Sequence, residues 1–134
     1  MFGLVAVLAS ATPTSAPRHV YPYYEQLVRQ YFAVWNAHDV HGLRGLFADD
    51  VMLRDWDVEK HGAAAVAKAN GNIFAAVPGI HIAVERIHVS EHTHSAICEI
   101  LVELHNDKQE VLKVVDVIAF DASGKITAVR AYKG

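Results

Sequence analysis

Apolar residues along this chain follow two spacings, a helical one of about 3.6 residues and a strand-like one of two. The first dominates the N-terminal half and the second the C-terminal half. Over residues 23–38, Leu27, Val28, Tyr31, Phe32, Val34 and Trp35 recur at helical spacing, with Leu27, Tyr31 and Val34/Trp35 along one face. Asn36-Ala37-His38-Asp39 breaks that pattern. Asp39 is a suitable N-cap for a second short helix, because its carboxylate can accept the free amides of the first turn. That helix turns Leu43, Leu46 and Phe47 inward. Asp49-Asp50 is expected to turn into a strand at 51–55, where alternation puts Val51, Leu53 and Asp55 on one face and Met52, Arg54 and Trp56 on the other.

A polar loop is expected up to Gly62, then an alanine-rich helix at 63–76 with Val66, Ile73 and Phe74 as apolar points, weakened by Gly71. Pro78-Gly79 signals a turn. Strand-like segments follow at 80–89, 95–105, 111–120 and 126–132, separated by the turn-forming runs 91–93, 106–109 and 121–125. Helices early and strands late predict an α+β fold, a curved antiparallel sheet wrapped around the N-terminal helices. Such a sheet encloses a cone whose mouth is the natural place for a small-molecule site.

The three prolines between positions 13 and 22 read as a linker. Residues 1–22 are therefore taken as an N-terminal arm or a signal-like leader, and residues 23–134 as one domain. The apolar run at 2–9 followed by small residues resembles a secretory signal, but no Lys or Arg precedes it and it is far too short to span a bilayer. A cytoplasmic protein is expected, or a secreted one if residues 1–16 are cleaved.

Composition narrows the function classes. A chain of 134 residues with 52% hydrophobic and 20% charged residues forms one folded domain. Its formal charge is −3 and no Lys/Arg cluster occurs, which argues against nucleic acid as a partner. Cys98, the only cysteine, reads as a small buried hydrophobe. The nine histidines offer no third ligand at zinc-like spacing, so no metal is expected. No phosphate loop, serine elbow or Cys-His pair is visible.

Two carboxylates stand out instead. Asp55 closes an apolar strand and is a candidate base. Asp116 sits in the middle of Val-Leu-Lys-Val-Val-Asp-Val-Ile-Ala-Phe, a largely apolar strand with little reason to hold a carboxylate at its centre.

The runs Arg29-Gln30-Tyr31-Phe32-Ala33-Val34-Trp35-Asn36-Ala37-His38-Asp39, Leu46-Phe47-Ala48-Asp49-Asp50 and Phe120-Asp121-Ala122-Ser123-Gly124-Lys125-Ile126 resemble the nuclear-transport-factor-2-like superfamily, in its SnoaL-like and ketosteroid isomerase branch. The resemblance extends over about residues 24–134. It implies a cone-shaped fold and, residue by residue, Tyr31 as an oxyanion donor, Asp55 as the general base and Asp116 as a protonated second donor. The implied reaction moves a proton next to a carbonyl through an enolate and needs no cofactor. The same branch also implies two other readings, a polyketide-type cyclase or epoxide-opening hydrolase that uses Asp116, and a non-catalytic binding or dimerisation module.

Phe47, Trp56, Phe74, Leu101 and Ile118 are the expected apolar substrate contacts. Glu99 and Glu103 share Leu101's alternation and predict a cavity more acidic than the isomerase's, ill suited to a steroid. The outer sheet face, with Val115 and Val117, suggests a homodimer.

Overall fold

The first helix, α1 (Ser15–Asn36), starts earlier than the linker reading allows and contains Pro22. Pro17 stands in its first turn, where amides have no intrahelical partner and proline removes nothing. The computed structural model describes residues 15–134, with side chains from Pro22 onward. The apolar run at 2–9 and the leader reading built on it lie outside the described residues. Among the described residues no helix is long and apolar enough to cross a membrane.

The order continues with α2 (Val40–Leu46), β1 (Phe47–Arg54), β2 (Glu59–His61), α3 (Ala63–Ala76), β3 (His81–Ser90), β4 (Ser95–Glu103), β5 (Val111–Phe120) and β6 (Ile126–Lys133). Asp39 caps α2, its Oδ1 accepting from the Gly42 amide at 2.9 Å. The alanine-rich helix has the expected bounds. The α+β expectation holds, with the helices packed on one face of a curved six-stranded sheet of order β2-β1-β6-β5-β4-β3.

Strands β3 to β6 form the expected antiparallel meander. The strand β1, by contrast, joins it through a parallel pairing with β6. Two local readings are corrected. Asp49 and Asp50 make no turn. The β1–β6 register jumps from Phe47↔Ile126 to Met52↔Ala128, so the intervening residues leave the ladder while their backbone stays extended. The polar stretch before Gly62 contains β2, paired to β1 through Met52↔His61, Leu53↔Lys60 and Arg54↔Glu59.

The core lies between α1 and the concave sheet face. Val28, Leu43, Val51, Val66, Cys98 and Ile118 are fully buried in it. Each side chain of that size removed from water contributes about 1.5–3 kcal/mol. Near the narrow end, Gly124 takes φ +86°, and a Cβ there would lie 2.6 Å from the Tyr23 hydroxyl. That close approach lets α1 rest on the β5–β6 loop.

Candidate active site

At the opposite end the sheet and helices stand apart and leave a cavity of about 220 Å3. Alternation builds its wall. On β5, Leu112, Val114 and Asp116 point inward; on β4, Ile100 and Val102 do so; on β1, Leu53 leads to Asp55 just past the strand end. The helices add Tyr31 and Trp35 from α1 and Asn70 and Ile73 from α3. Tyr31, Asp55 and Asp116, far apart in sequence, thus line one hollow whose other walls are mostly aliphatic.

Asp116 is 5% exposed. Its neighbours across the ladder are Cys98 and Ala131, both small, which leaves space beside the carboxyl group. Among the described residues nothing hydrogen-bonds to that group. Burial pushes it up from 3.8 to about 7, and the Asp55 charge adds to the shift. Near neutral pH it is therefore in large part a neutral acid that can donate a proton. The Tyr31 hydroxyl, equally buried, is raised well above its ordinary 10, first by burial and then by Asp116, so it remains a donor throughout the physiological range. Cys98, behind Asp116, is driven by burial to about 12 and is no thiolate at neutral pH.

Asp55 is half-buried and differently engaged. Its Oδ1 accepts from the amides of Asp57 and Val58, both at 2.7 Å, and its own amide donates to the Val58 carbonyl. This turn holds the carboxylate at the cavity mouth and leaves Oδ2 without a hydrogen bond among the described residues. Trp56 also lines the mouth, with the Lys133 ammonium 5.1 Å from its ring centroid.

One polar pair escaped the sequence reading. Asn70 accepts from Trp35 Nε1 at 2.9 Å and donates to the Val66 carbonyl, which fixes the indole against α3. An asparagine four residues after a buried valine, inside an alanine-rich helix, was the available signal.

Six of the ten expected site residues lie elsewhere. Phe47, Phe74 and Ile118 are buried in the core and do not reach the cavity. Phe74 packs edge-on to Trp35 and stacks on His38, whose Nε2 donates to the Ile80 carbonyl. Glu99, Leu101 and Glu103 occupy the outer sheet face, because Cys98, Ile100 and Val102 take the inner one. There Glu99 meets His88 at 2.6 Å and Arg86 at 3.9 Å. The His88 hydrogen bond holds the Glu99 carboxyl below its usual range. Glu103 pairs with His81 and lies 3.6 Å from His105. The expected acidic cavity is therefore corrected to an apolar one.

The sequence matches the SnoaL-like domain over residues 28–129. The chain belongs to the SnoaL-like family. No curated protein matches it significantly. Among solved structures, this SnoaL-like domain is similar to a cystatin-like-fold protein of unknown function from Methylobium petroleophilum (20% identity, 84% of this chain and 76% of that one, TM-score 0.74). It is also similar to SalBIII, an epoxide hydrolase/cyclase-like enzyme of pyran ring formation in the polyether salinomycin (18%, 85% and 92%, 0.73). A candidate isomerase of the SnoaL-like family from Agrobacterium tumefaciens gives 17%, 84% and 98%, and 0.68. At these identities the likeness establishes the fold.

Proposed function

We propose that this SnoaL-like domain catalyses cofactor-independent proton transfer on a small, largely apolar carbonyl compound. The observation that carries the proposal is the convergence of Tyr31, Asp55 and Asp116 on one aliphatic hollow. The substrate carbonyl oxygen accepts hydrogen bonds from the Tyr31 hydroxyl and from protonated Asp116. Asp55 takes a proton from the adjacent carbon through Oδ2. The C–H electron pair becomes the enolate double bond and the carbonyl π pair moves to oxygen, where the two donors stabilise it. Return of the proton from Asp55 to a conjugated carbon completes an isomerisation with no net exchange with solvent. The cavity volume is below the roughly 300–1,000 Å3 of drug-sized sites, so a one- or two-ring ketone fits better than a steroid.

The test is turnover of a monocyclic β,γ-unsaturated ketone. Asp55→Asn is expected to lower kcat by about 10²–10⁴, the usual contribution of a general base. Tyr31→Phe should lower it by about 10²–10³. The rate should also fall as pH rises through about 7, because ionised Asp116 no longer donates and repels the enolate. Equal rates for wild type and Asp55→Asn would end this reading.

A second reading is supported by the engagement of Asp55 Oδ1 in its own turn and by the fold shared with SalBIII. In it Asp116 protonates the oxygen of an opening epoxide while a hydroxyl of the same substrate closes a ring and returns a proton to the Asp116 carboxylate. Here Asp116→Asn abolishes turnover and Asp55→Asn spares it.

A further inference from the structure

A second depression, of about 510 Å3, adjoins the cavity at its mouth. The two share Leu53, Asp55 and Ile73, so one molecule can occupy both. The second is built differently. Besides the shared Asp55 carboxylate at the junction, its polar groups are Lys60, Lys68 and Asn72, and its remaining wall is Val58 with alanines of α3.

The chain's own geometry puts these cations there. Lys60 is the cross-strand partner of Leu53, and partners in an antiparallel ladder project to the same face. Leu53 faces the cavity, so Lys60 points over its mouth. On α3, Ala65, Lys68/Ala69, Asn72/Ile73 and Ala76 recur every three or four residues and form one stripe of the helix. Ile73 closes the cavity from this stripe, and Lys68 stands just over one turn further toward the helix N-terminus. The alanines leave the trough open where longer side chains would fill it. Among the described residues neither lysine forms an ion pair. The nearest acid in sequence, Glu59, is occupied by His61 at 2.8 Å.

We infer that the substrate is an amphipathic anion. Its apolar body enters the cavity, and a carboxylate or similarly charged tail lies in the trough between Lys60 and Lys68, with the Asn72 amide as a further donor. This rests on the cavity reading above. It adds that the reacting carbon lies at the junction beside Asp55, between the two compartments. It also gives the lysines a role in positioning: they set how deep the body enters, and so which carbon meets the base.

The experiment compares 4-(2-naphthyl)butanoate with its neutral amide by titration calorimetry on the whole protein, at low salt and about pH 6, where the probe's carboxylate is ionised. The carboxylate is expected to bind about fivefold more tightly than the amide, the factor that two solvent-exposed ion pairs supply, and the advantage should shrink as salt is added. In Lys60→Gln/Lys68→Gln the ratio should drop to about one while the amide's affinity stays at the wild-type value, which also reports an intact cavity. Equal affinities in wild type, or a carboxylate preference that survives in the double variant, would overturn the trough assignment and leave the cavity reading standing. Binding of neither probe would overturn both.

Discussion

Asp116 is the residue whose sequence context predicts most. A carboxyl group inside an aliphatic strand has to be neutralised or paired, and here it is held neutral by burial. The consequence for stability has a definite sign. Below about pH 4 the group is protonated in both folded and unfolded chains. As pH rises toward 7 the unfolded chain loses this proton and the folded one keeps it, so stability falls across that window. The displacement from 3.8 to about 7 corresponds to roughly 4 kcal/mol at most. Asp116→Asn should therefore be stabilised relative to wild type by a few kcal/mol more at pH 8 than at pH 4. Urea denaturation at the two pH values measures this, and a difference that does not change with pH would show that the carboxyl is not held neutral. Asp116 and Asp55 were legible because each interrupts an apolar alternation. The face occupied by Glu99 and Glu103 was not, because β4 carries apolar residues on both sides: Ile97 and Leu101 outward, Cys98, Ile100 and Val102 inward. Alternation separates two faces without saying which is concave.

At the scale of elements, segments with strong local signals appear as read. The bounds of α3 follow from its alanine run and the flanking Gly62, and those of β5 from its β-branched residues. The misses share a cause. The α1 start, the β1 start and β2 all involve residues whose local preference is overridden by what they pack or pair with: prolines drawn into a helix, an Asp-Asp pair carried past a register jump, and a three-residue polar strand held only by β1. Gly124 is a counter-example, since its left-handed backbone belongs to the loop while its missing side chain serves α1. Gly124→Ala should lower stability by about 1–3 kcal/mol, combining a non-glycine residue at positive φ with displacement of Tyr23. A thermal melt within a degree of wild type would mean that the helix end and the loop move apart freely.

For the molecule as a whole, the helices and meander seal one end of the cone and leave a cavity at the other. A neutral two-ring ketone such as 2-acetylnaphthalene should raise Tm when saturating, since at about a hundred times its Kd a ligand adds about 2.7 kcal/mol to the folded state. Because its carbonyl can only accept, the shift should shrink as pH passes upward through about 7 and Asp116 loses its proton. Scanning fluorimetry on either side of that value tests it. An identical shift at both would mean that the ketone lies away from Asp116.

The parallel pairing of β1 with β6 also has a consequence for biosynthesis. The strand that leads to Asp55 emerges from the ribosome more than seventy residues before Ile126–Lys133, which among the described residues is the segment joining it to the rest of the sheet. Until that late segment arrives, β1 has only the short hairpin partner β2, and the two acids cannot face each other. Nascent SnoaL-like chains stalled before residue 126 should therefore hold a loose helical half and an unfinished sheet, and the capacity to bind ligand should arise in one step at the end of synthesis.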